Sequence, residues 1–125
     1  MYICVDIRYV YFMYEINRSV AIIRPKQPYI MWANSLPDAD REFSPDVFQK
    51  DCSVVLIAES DTVKEARAHI NKIWEEIFEA ELYGWSTNDA WWPKERTRTM
   101  FWQWFGVEFY SLVFDPYEDE IKKYA

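Results

Sequence analysis

His69 is the only histidine in the chain, and Glu65 stands one helical turn before it. A helical zinc-protease site needs a second histidine four residues on and a glutamate beside the first. Position 73 is Ile73, so that site is not assembled, and Glu65–His69 reads as a pair on a helix surface. Cys4 and Cys52 belong to no CxxC or Cys/His pattern. A Cys52–His69 dyad would require an exposed thiolate of lowered pKa. The apolar run beginning at Val54 points instead to buried, reduced thiols of a cytosolic protein. Asp38-Ala39-Asp40-Arg41-Glu42 alternates carboxylates as a calcium loop does. The glycine and glutamate such a loop needs at its sixth and twelfth positions are replaced by Phe43 and Gln49. Two glycines, Gly84 and Gly106, are too few for a phosphate-binding loop, and no GxSxG elbow occurs. These residues nominate no catalytic group, no metal site and no cofactor, and the chain leans away from being an enzyme.

Two constellations remain. Trp85, Trp91, Trp92, Trp102 and Trp104 place five of the seven tryptophans within twenty positions. Met100, Phe101 and Trp104 fill the inward face of one helix, which sends Trp102 elsewhere, and Trp91 and Trp92 lie in the preceding connection. Either they close the core, or Trp91, Trp92 and Trp102 share an outer surface that contacts another chain, most simply a second copy, or they form a stacking platform for a ligand. The second constellation is Arg24, Lys26, Gln27, Glu59, Ser60 and Asp61, with Lys94, Arg96 and Arg98 later in the chain. If the first two strands are parallel, the first six residues gather at the carboxyl ends of the strands, where open sheets bind ligands. A small anion would sit there with Trp92 as a wall, although Glu59 and Asp61 repel it. The bland reading is helix starts and surface ion pairs.

The element expected to organise these groups is Cys52–Ser60, CSVVLIAES. Its unbroken apolar run reads as a central strand covered on both faces. Ser19–Arg24 is a second buried strand, and Tyr29, Trp32, Ala33 and Leu36 recur at helical spacing behind Pro28. Strand, helix and strand suggest a crossover to a parallel neighbour. Pro37–Asp51 reads as a long polar loop with one helical turn at Ser44-Pro45-Asp46, and with Phe43, Val47 and Phe48 tucked beneath it. A long helix is expected over Thr62–Tyr83. Its stripe is Val63, Ala66, Ile70, Ile73, Trp74, Ile77 and Phe78, its capping box Thr62/Glu65, and its left-handed end Gly84. Another helix is expected from near Pro93 to Gly106, then a strand over Val107–Phe114. Met1–Tyr14 reads either as an edge strand or as an extension upstream of a start at Met13, in which case a chain beginning at Met13 keeps its sheet.

The 125 residues are half hydrophobic and 19% aromatic, with a formal charge of −7. Such a chain forms one domain with a single core covering roughly two-thirds of its unfolded surface. The acidic balance argues against nucleic acid or an anionic membrane as partner, and no run approaches a membrane span. It also suits a basic protein partner. Asn17–Leu36 (NRSVAIIRPKQPYIMWANSL), Trp92-Pro93-Lys94 and Ser111–Asp115 together resemble a family of small uncharacterised bacterial proteins. The resemblance spans about residues 17–115. It implies a bacterial, cytoplasmic setting and carries no activity, cofactor or site residue.

The expectation is a single α/β (or α+β) domain over residues 1–125, with residues 1–16 as strand or extension and 116–125 as a charged tail. Its sheet is mixed, of three or four strands with helices packed on it, in the order (β)-β-α-β-α-α-β. The expected function is a non-catalytic protein-interaction module that self-associates through its aromatic surface. The alternative is a small-anion binder or enzyme around Arg24, Lys26 and Glu59.

Overall fold

A computed structural model describes residues 14–124. The expectations for residues 1–13, including Cys4, lie outside the described residues. The order is β1 (Tyr14–Glu15), β2 (Arg18–Pro25), α1 (Gln27–Asn34), α2 (Pro45–Gln49), β3 (Ser53–Ala58), α3 (Val63–Trp85), a 3-10 turn (Asp89–Trp91), α4 (Arg98–Trp104), β4 (Phe105–Tyr110) and β5 (Phe114–Asp115). The α/β architecture is as expected. β3, β2 and β4 form a three-stranded sheet in that order, and β1 pairs with β5.

Every pairing among the described residues is antiparallel, so the expected parallel crossover from β2 to β3 is corrected. β2 is the central strand, and β3 stands at an edge. Among the described residues, the helices pack on one face of the sheet. On β2, Ser19, Ala21, Ile23 and Pro25 alternate inward, and on β3 Ile57 is buried while Val54 and Leu56 point outward. An apolar run of this length fits a strand buried on both faces, but here half of it faces away from the helices.

α3 begins as its sequence dictates. Thr62 Oγ1 accepts from the Glu65 amide at 3.1 Å, and the Glu65 carboxylate accepts from the Asp61 amide at 3.2 Å. Ala66, Ile70, Ile77, Phe78 and Leu82 are buried beneath it, whereas Val63 is exposed. The other end is corrected: neither glycine has positive φ. Gly84 lies inside the helix, and extended Ser86 closes it by donating its amide to Leu82 O at 2.8 Å. Gly106 is the second residue of β4, because α4 passes straight into the strand at Phe105.

The helix expected from Pro93 begins only at Arg98, where Thr97 Oγ1 caps the Met100 amide at 3.1 Å. The expected last strand breaks in two at Ser111. In the long loop, Phe48 is buried and Phe43 half-buried, but Val47 is exposed. The Asn34 side chain holds that loop by exchanging two 2.9 Å hydrogen bonds with the main chain of Phe43. The core lies between the inner sheet face and α1, α3 and α4. Phe78, Phe101 and Phe105 meet at its centre with ring separations of 5.3–6.2 Å.

Candidate functional site

All five clustered tryptophans are half-buried, and Trp85, Trp92, Trp102 and Trp104 serve as walls of the core. Trp85 packs on Phe48 at 4.6 Å, and Trp104 on Phe78 at 5.4 Å. Trp102 sets its ring edge-on to Phe101, lies under the Arg67 guanidinium at 3.8 Å and donates to Asn71 Oδ1 at 2.8 Å. Trp92 donates to Ser86 O at 2.9 Å, and the main-chain oxygen of Trp91 accepts from the Trp32 indole at 3.0 Å. Asn71 and Ser86 are fifteen positions apart, roughly 22 Å along a helix at 1.5 Å per residue. Trp102 and the Trp91–Trp92 pair therefore do not form the single outer patch that sequence spacing suggested.

The strand-end set is likewise divided. Because β2 and β3 are antiparallel, Arg24 and Lys26 lie at one end of the sheet and Glu59 and Ser60 at the other. Arg24 forms an ion pair with Glu108, and Lys26 Nζ donates to Trp102 O at 3.3 Å. Gln27 opens α1 at the surface. Ser60 is tied into the β3–α3 turn: its amide donates to buried Ser19 Oγ at 3.0 Å and its hydroxyl to Ala58 O at 2.9 Å. Arg96 joins Glu79 at 2.7 Å and leans over the Trp92 ring at 5.8 Å.

No Cys52–His69 dyad forms. Ser53, next to Cys52, bonds Glu81 on α3, and Glu81 is twelve positions from His69, roughly 18 Å along the helix. Burial pushes the Cys52 thiol up despite Arg24 Nη1 at 3.6 Å, which is the wrong direction for a nucleophile. Glu65 turns back to the helix start rather than towards His69. Among the described residues, no cluster of His, Cys, Asp and Glu is arranged to hold a metal, and no helix is long and apolar enough to cross a membrane.

Beside Cys52 lies an open cleft of about 200 Å³, lined in part by Tyr29, Phe48, Ser53, Glu81 and Trp85. Burial raises the Glu81 carboxyl above its ordinary range, opposed by the Ser53 hydroxyl donating at 2.6 Å. Burial also raises the Tyr29 phenol, which donates to the Glu81 main-chain oxygen at 2.5 Å. Tyr29 is thus spent on holding α3 to α1, and Ser53 on holding it to the sheet.

The outer sheet face is a second unassigned surface among the described residues. Antiparallel register sets Val54, Ile22 and Glu108 in one row, and Leu56, Val20 and Tyr110 in the next. Val54 is 59% exposed, Leu56 45% and Tyr110 52%, with Val20 and Ile22 half-buried between them. Cys52 and Arg24 flank one end of this patch and Arg18 the other. The two bonds on Glu108, from Arg24 and from the Tyr110 hydroxyl at 3.0 Å, hold its carboxyl below the usual range. Sequence reading missed this face because treating β3 as central assigned Val54 and Leu56 to the interior. No family model, curated protein or solved structure matches the chain.

Proposed function

We propose that this chain is a non-catalytic protein-interaction module that self-associates, and that its contact surface is the outer face of the three-stranded sheet. The observation that carries this reading is the exposure of Val54 and Leu56 on β3 and of Tyr110 on β4, joined by half-buried Val20 and Ile22 of β2 between them. Large contiguous apolar patches are uncommon on monomers and mark contact sites. The expected interface of Trp91, Trp92 and Trp102 has less support, since the rings and indole donors of Trp92 and Trp102 are engaged within the chain. The anionic-ligand alternative has less support for a similar reason: Arg24 and Lys26 already have partners, and Glu59 is at the far end of the sheet. The bacterial cytoplasmic setting belongs to the same proposal and rests on the family resemblance and on reading both cysteines as reduced thiols.

Light scattering on a sizing column tests the reading. An apolar contact persists in molar salt, which screens charge pairs but not burial. The expected result is a mass above 15.2 kDa at micromolar concentration, retained in high salt. A monomer under both conditions contradicts self-association.

A further inference from the structure

Among the described residues, β3 is an edge strand without the usual protection. Among the described residues it pairs only with β2, in unbroken register from Arg18–Ala58 to Ile23–Ser53. Its sequence, SVVLIA, contains no charge and no proline, and the register shows no bulge. Natural edge strands carry such devices because unpaired main-chain groups otherwise recruit another strand. The opposite edge, β4, has Glu108 and Gly106 within it.

We infer that β3 pairs antiparallel with β3 of a second copy, joining two three-stranded sheets into one of six strands. This rests on the self-association reading above, but places the seam at the β3 edge of the exposed face and not over the face itself. Two features favour a second copy. The first is face continuity. With the two-fold axis at Val55, Val54 lies opposite Leu56 of the second copy, residues of the same outward face, so the apolar rows run unbroken across the seam. The second is charge. Copies carrying −7 each repel, and this strand offers six consecutive uncharged positions at which they can meet. The opposing element is at the ends of the seam, where Asp51 comes opposite Glu59 of the second copy. Salt therefore tightens the pairing by screening that repulsion.

Sedimentation equilibrium at micromolar concentration separates this geometry from a face-to-face contact. The variants are Leu56→Lys and Val54→Lys on the edge strand, and Tyr110→Lys two strands away on the same face, each checked for wild-type circular dichroism. Edge pairing predicts a wild-type dimer of twice 15.2 kDa, an association weakened at least about tenfold by a folded edge variant, and Tyr110→Lys still dimeric. Loss of the dimer in Tyr110→Lys as well keeps the sheet face as the contact but overturns edge pairing. A dimer unaffected by both edge lysines overturns edge pairing, and a wild-type monomer overturns this inference together with the reading it rests on.

Discussion

Gly84 occupies the last turn of α3 with ordinary helical backbone, and a Cβ added there meets nothing within 4 Å. Glycine in a helix costs about 0.5–1 kcal/mol relative to alanine, because the unfolded chain has more freedom to lose. Gly84→Ala should therefore stabilise by about that amount in urea unfolding. Destabilisation would restore the left-handed cap that the sequence suggested. Glu81, one turn earlier, supplies a pH signature. Burial raises its folded pKa above the unfolded value of about 4.3, so its contribution is present below that value and lost as pH rises through the folded one. Glu81→Gln keeps an acceptor for the Ser53 hydroxyl while removing the charge. Its melting temperature should exceed wild type at neutral pH, with the gain shrinking near pH ~4. A gain independent of pH would assign the effect to something other than ionisation. Glu108 has the opposite sign: its lowered pKa gives stability above the unfolded value that is lost as pH falls.

At the scale of elements, local signals were legible and pairing was not. Thr62 and Glu65 lie three residues apart, so the capping box needs nothing beyond its own turn, and the start of α3 could be read directly. The direction of β3 against β2 depends on how α1, α2 and the loop between them turn the chain, and no residue in SVVLIA encodes that. The glycines misled for a related reason, since an extended Ser86 ends α3 without left-handed backbone. The tryptophan excess was legible but its role was not, because helical spacing says that Trp102 leaves the stripe and cannot say that Arg67 and Asn71 receive it. Trp102→Ala should accordingly lower unfolding free energy by about 2 kcal/mol or more and leave oligomeric state unchanged. A variant of wild-type stability that no longer associates would return the interface to the tryptophans.

For the whole molecule, the central claim is that a sheet covered by helices on one face makes its outside contact through the sheet. Half the main-chain amides of an edge strand point away from its only neighbour. Hydrogen exchange compared between dilute and concentrated protein reads those amides directly, because a partner strand protects them only when it is bound. The account predicts that protection over Ser53–Ala58 rises with concentration, while amides around Asn88–Trp92 exchange at the same rate in both samples. Identical exchange over β3 at every concentration, beside a concentration-dependent change elsewhere or none at all, would contradict it.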